Sequence, residues 1–201
     1  MKAPEFDKIK LALSISSGLL LTGSFPNVNF SWLAWFAFVP LLISLRNQSF
    51  KNSFLLGFCA GVTHYLTLVY WLIYTMRTYG HLPWHLSVVI LILLSAYLAL
   101  YFAVFSTAVS RFFTKPSVLF IIIPVFWVGL EYIRSFFLSG FPWELIGYSQ
   151  FNQLHILQIS DIFGVYGVSF LILLSNATIF ILFLVVTGQK WQGEKISKPH
   201  V

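Results

Sequence analysis

From Thr78 to Ser110 the chain has no aspartate, glutamate, lysine or arginine, and the same holds from Ile162 to Gln189. A helix at the surface of a soluble domain needs a polar face, and these runs offer none. About 20 apolar residues cross the hydrocarbon layer of a bilayer, where only helices or closed barrels satisfy their own backbone. Barrel strands alternate apolar and polar residues over short segments; these runs are continuous. The expected fold is therefore all-α, a polytopic bundle of transmembrane helices. Composition agrees: 58% of the 201 residues are hydrophobic and 9% charged, against about 25% charged in ordinary globular domains.

Apolar segments fall at about 9–25, 31–45, 53–76, 86–112, 117–138 and 162–187, giving an expectation of six spans in one membrane domain over 1–201. The second is short and holds Pro40, and is expected to be kinked or paired closely with the first. The start, "MKAPEFDKIKLALSISSGLL", has the basic opening of a signal peptide, but no A-x-A-like site follows, so the first segment reads as an uncleaved span. Lys2, Lys8, Lys10, Arg46, Lys51, Arg111, Lys115, Lys190, Lys195 and Lys198 lie on one side of these segments, and Arg77 and Arg134 on the other. Basic residues favour the cytoplasmic side, so both termini are expected there, in a bacterial inner membrane. The formal charge of +6 is spread over helix ends rather than clustered, and no nucleic-acid partner is expected.

On this topology the segment 139–161 faces the periplasm. Phe141, Trp143, Leu145, Ile146, Phe151, Leu154, Ile156 and Leu157 make it too apolar for a free loop. It is expected to fold back onto the membrane–water interface, where Trp and Tyr favour the headgroup level.

The polar residues inside the apolar runs are few. Gly57 and Gly61 in "GFCAG" have the small-xxx-small spacing of closely packed helices. Cys59 between them reads as an inert buried thiol, with no nearby cation to activate it. His64 reads as a hydrogen-bonded interior histidine; His81 and His85 flank "LPW" without the partners of a metal site. Glu131 and Arg134 are three apart, which suits either an ion pair on one helix face or a role in a cavity for a polar headgroup. Asp161 stands where it can cap the sixth helix. Asn176-Ala-Thr178 matches a glycosylation signal but lies within a span. No nucleophile elbow, zinc-protease, phosphate-loop or dinucleotide motif occurs, and no metal or cofactor is expected.

The strings "FPNVNFSWLAWFAFVPLL" (25–42), "PVFWVGLEYIRSFFLSGFPWELIGYSQ" (124–150) and "IFGVYGVSF" (162–170) resemble the membrane portion of bacterial apolipoprotein N-acyltransferase. Trp127, Glu131, Tyr132, Arg134, Gly140, Phe141, Pro142, Trp143, Gly147, Tyr148, Ser149 and Gln150 match that family's pattern in order. The resemblance implies a transferase that moves an acyl chain from a membrane phospholipid to the amino-terminal diacylglyceryl-cysteine of an apolipoprotein substrate. It implies that the chemistry sits in a periplasmic nitrilase-like domain with a Glu-Lys-Cys triad. No residue here matches that triad, so the chain is expected to be the amino-terminal membrane part and inactive by itself. Its partner would be the nitrilase-like domain, from the same gene or a split one. The resemblance points to Glu131, Arg134, Trp143, Tyr148 and Gln150 as an interfacial or lipid-headgroup site. Gly140, Phe141, Pro142, Gly147 and Ser149 would shape the turn, with Pro142 and Gly140 ending the fifth helix. The competing reading is a non-enzymatic membrane protein: a lipid or solute carrier, or an assembly subunit.

Overall fold

The computed structural model describes residues 7–194. Among them are eight α-helices and no β-strand. Helix α1 (Lys8–Gly23) starts at Asp7, whose carboxylate accepts the Ile9 N–H at 3.0 Å. A 3-10 turn at Ser31–Trp35 leads to α2 (Val39–Ser44). Helix α3 (Phe50–Leu68) is capped by Ser49, which accepts the Asn52 N–H at 3.3 Å. Such caps satisfy amides that have no partner within the helix. After a 49° bend comes α4 (Leu72–Thr78). Then follow α5 (Trp84–Phe112), α6 (Leu119–Arg134), the single turn α7 (Leu154–Leu157) and α8 (Ser160–Thr187).

Small residues set the helix spacing. A Cβ on Gly57 would lie 2.5 Å from Phe102 O, and one on Gly61 2.7 Å from the Ala99 Cα. The GFCAG glycines thus let α3 and α5 touch backbone to backbone, as their spacing implies. Gly18 does the same for α1 against Ala60 O on α3, and Ser14 Oγ donates to Leu56 O across that contact. At the centre Trp127 packs edge-on against Phe38, Phe102 and Phe105, with centroids 4.8, 4.7 and 5.1 Å away.

The second apolar segment is broken upstream of Pro40, not by it. Pro40 sits in the first turn of α2, where its missing N–H leaves nothing unpaired. Phe36 is the irregular residue, with φ −140° and ψ 5°. Side chains satisfy the freed backbone. Asn176 Nδ2 donates to Ala34 O and its Oδ1 accepts from Phe38 N, both at 2.8 Å; Ser175 Oγ donates to Trp35 O at 3.1 Å and Ser17 Oγ to Ala37 O at 2.7 Å. Irregular backbone inside a membrane persists only with such partners.

Trp84–Phe112, Pro116–Arg134 and Ser160–Thr187 are long and apolar enough to cross a membrane; the bent pair Phe50–Leu68 and Leu72–Thr78 makes a fourth. The first two segments are shorter. Helix α1 has 16 residues, about 24 Å at 1.5 Å per residue, and Ser31–Ser44 is shorter still. The chain is a helical membrane protein.

Two expected helix ends move. The fifth apolar segment stops at Arg134, not near 138, because the Phe141 N–H turns back to Arg134 O at 2.9 Å. Leu138 at φ 51° and Gly140 at φ 79° make that reversal, so Pro142 is not the stop. Asp161 does not cap α8: it is exposed in the first turn, and Gly164 (φ 63°, ψ −168°) breaks the helix three residues later.

Candidate functional site

The segment 139–150 folds down onto the ends of α6 and α8 and forms a lip. Leu145 and Ile146 are buried, and Phe141 packs against the core. Its backbone is held by side chains rather than by a ladder of its own. Glu131 Oε1 accepts the Ile146 N–H at 2.8 Å, and Ser169 Oγ the Gly147 N–H at 2.9 Å. Arg134 Nη2 donates to Trp143 O at 3.4 Å and Glu144 O at 3.3 Å, while its Nη1 donates to the Tyr65 hydroxyl on α3. Gly147 lies so close to α8 that a Cβ would stand 2.5 Å from Val165 O.

Glu131 and Arg134 are each only 2% exposed, yet they do not bond to each other. The i, i+3 pair is replaced by tertiary bonds in which each side chain reaches the lip. Glu131 Oε2 and Arg134 Nε remain buried without a hydrogen-bond partner among the described residues. Gln150, fully buried, ties the far end of the lip: its Oε1 accepts from Trp35 Nε1 at 3.2 Å, and its Nε2 donates to Ser31 O and Ser149 Oγ, both at 2.9 Å. Of the expected site residues, Glu131, Arg134 and Gln150 therefore face inward. Trp143 and Tyr148 are exposed, and Trp143 stands 6.0 Å from Trp71 at the head of α4. Glu144, half-buried with φ 58°, has its carboxyl pushed above the ordinary range by burial, with the Arg134 charge opposing.

Sequence reasoning misses Tyr65 and Ser169, and reads Asn176 only as a glycosylation match within a span. Each is a polar group on an apolar helix, which was the available signal. His64 is buried, with its Nδ1 3.0 Å from Thr22 Oγ1 and its ring against Phe25, Tyr65 and Phe102.

Residues 17–178, which include the whole lip and every side chain that holds it, match the family model described as the apolipoprotein N-acyltransferase N-terminal domain. The chain belongs to the apolipoprotein N-acyltransferase family. It is 44% identical over 183 residues to the apolipoprotein N-acyltransferase of Geobacter metallireducens, covering 90% of this chain and 35% of that protein. The Photobacterium profundum enzyme is 34% identical over 173 residues, 85% of this chain and 33% of its own length. That of Wigglesworthia glossinidia brevipalpis is 32% identical over 169 residues, 83% and 34%. The chain thus spans about a third of the length of these apolipoprotein N-acyltransferases, at the part the family model calls N-terminal.

Proposed function

We propose that this chain is the membrane module of an enzyme that carries an acyl chain from a phospholipid to the amino-terminal diacylglyceryl-cysteine of an apolipoprotein. The acyl-transferring residues belong to a nitrilase-like domain in the two thirds of the family's length outside this match. Residues 1–201 form one membrane domain with six crossings, both ends cytoplasmic in a bacterial inner membrane, and the segment 139–161 on the periplasmic face. The lip supports that domain and presents Trp143 and Tyr148 to lipid headgroups, while Glu131, Arg134 and Gln150 hold it from beneath.

The observation that carries this reading is the buried Glu131 and Arg134 reaching the lip backbone. Ionisable groups at membrane depth are expensive and mark function. Two of their polar atoms are left without partners, an arrangement poor for stability alone. The orientation draws support from Lys10, Arg46 and Lys190 meeting at one end of the bundle, where Lys10 Nζ donates to Arg46 O at 2.9 Å and Arg46 Nε to Lys190 O at 3.1 Å.

The test is a chimera in which this chain replaces the matching part of the Geobacter metallireducens relative, expressed in a strain depleted of its own N-acyltransferase. Growth is expected, and failure to grow with the chimera inserted at normal level contradicts the reading. Reporter fusions after Lys115 and Lys190 should be cytoplasmic, and those near His81 and Asn152 periplasmic.

A further inference from the structure

Helix α8 is broken where its sequence carries a continuous face. Ile159, Phe163, Tyr166, Gly167 and Phe170 stand at i, i+4, i+7, i+8 and i+11, which an unbroken helix aligns in one stripe. Gly164 interrupts that stripe at φ 63° and ψ −168°, a conformation open in practice only to glycine. A Cβ built on Gly164 has nothing within 4 Å, so glycine is needed there for the dihedral and not for space. Gly167 is the reverse case. A Cβ there would stand 2.6 Å from the Phe163 Cβ, whereas Cβ atoms four apart on a regular helix keep about 5–6 Å. The broken form needs both glycines, and the straight form needs neither.

Beyond the break the helix is fixed. Gly147 packs on Val165 O, its N–H reaches Ser169 Oγ at 2.9 Å, and Tyr166 donates to Ser135 Oγ at 2.9 Å. Upstream, Gln150 is tied to Trp35 and Ser31, and Gln153 Nε2 donates to Ser31 Oγ at 3.1 Å. Between these anchors Ile156 packs against the core, while Leu154, Ile162 and Phe163 are exposed. Ile159 and Phe163 wall one end of an apolar groove of about 550 Å³, which Tyr166, Gly167, Phe170 and Val128 of α6 continue.

We propose that residues 154–163 are a strap, hinged at Gly164, that opens and closes this groove. In the closed form Phe163 lies over Gly167 and walls the groove. In the open form α8 runs straight through Gly164, and Phe163 rises along the helix axis away from Gly167. Packed elements switch between discrete arrangements rather than deform smoothly, and the same five residues serve both arrangements. The anchors at Gln153 and Val165 confine the movement to the stretch between them.

The test is the distance between spin labels on Ile162→Cys and Val186→Cys, both at exposed positions, in a Cys59→Ala background. It is measured by double electron–electron resonance on the purified chain in lipid nanodiscs. The straight form puts the two backbones about 36 Å apart, at 1.5 Å per residue; the closed form, with Phe163 folded over Gly167, puts them nearer. The native glycines should give both populations. Gly164→Ala should deplete the nearer one by about tenfold, because alanine is strained in that conformation. Gly167→Ala should deplete it as well, by driving a methyl into Phe163, and Gly129→Ala on α6 should leave the distribution unchanged. A single population with the native glycines overturns the inference, as does an unchanged distribution in both Gly164→Ala and Gly167→Ala. The native-glycine distribution decides by itself if either variant fails to fold. The readout is a distance within this chain, so a chimera that fails to grow removes the proposed function and leaves the strap standing.

Discussion

Glu131 on α6 accepts the Ile146 backbone N–H at 2.8 Å, across 15 positions of sequence, and both groups are buried. That one bond fixes how the lip returns to the bundle after the reversal at Leu138 and Gly140. Left-handed residues persist where surrounding contacts over-determine them; the lip has two, Gly140 and Glu144, and Leu138 stands just before it. The carboxylate below and the Arg134 guanidinium beside it supply that determination.

Removing the acceptor tests the bond. Glu131→Ala leaves the Ile146 amide buried and unpaired, a loss of about 1–3 kcal/mol. Thermal unfolding in detergent, followed by size exclusion, should show a lower midpoint for Glu131→Ala and a smaller drop for Glu131→Gln, which keeps an acceptor oxygen. Equal midpoints for alanine and wild type contradict the assignment.

Asn176→Leu should be among the more damaging single changes within α8. It strips partners from Phe38 N and Ala34 O at the break before α2. Thr178→Ala removes only a bond to its own helix, at Leu174 O, and should be nearly silent. Comparison of folded yields after membrane extraction separates the two.

Glycine substitutions should split by neighbour. Gly57→Ala drives a methyl into Phe102 O and the Ser106 side chain, and should reduce folded yield sharply. Gly129 has nothing within 4 Å of a built Cβ, so Gly129→Ala should be tolerated, with a small gain from helix propensity. In the lip, Gly140→Val should be far more harmful than Pro142→Ala. Of these two, only Gly140 has a positive φ, and a Cβ there meets Ser135 O.

These contrasts also separate what was legible in the sequence from what was not. Long, unbroken charge-free runs gave away the helices, because the strands of a barrel, the other structure that crosses hydrocarbon, alternate apolar and polar residues. The lip was legible as a compact apolar segment, because Phe141, Leu145 and Ile146 need cover. The end of the fifth helix was misplaced because its stop depends on the Phe141 amide folding back to Arg134 and on the dihedral of Gly140, not on the visible proline. The pairing of Glu131 with Arg134 failed because tertiary partners, Ile146 and Tyr65, outbid the i, i+3 neighbour. Asn176 was set aside as a chance glycosylation signal; its partner Phe38 lies 138 positions away.

Glu144 predicts a pH effect. Burial raises its carboxyl in the folded chain above the ordinary value of 4.5. The stability this gives is full below the unfolded value and is lost as pH rises through the folded one. Thermal midpoints should thus fall from about pH 4.5 upward by a component that Glu144→Gln removes. An identical pH profile for the variant contradicts it.

On the proposed function, acyl transfer depends on the Arg134-held lip. The most direct measurement is mass spectrometry of lipoprotein amino termini from depleted cells carrying the chimera, wild type or Arg134→Gln, at matched membrane levels by immunoblot. Arg134→Gln loses the charge that reaches Tyr65, Trp143 and Glu144 together, and it should leave lipoproteins diacylated while the wild-type chimera yields the N-acylated form. Full N-acylation by Arg134→Gln at equal level would contradict the account.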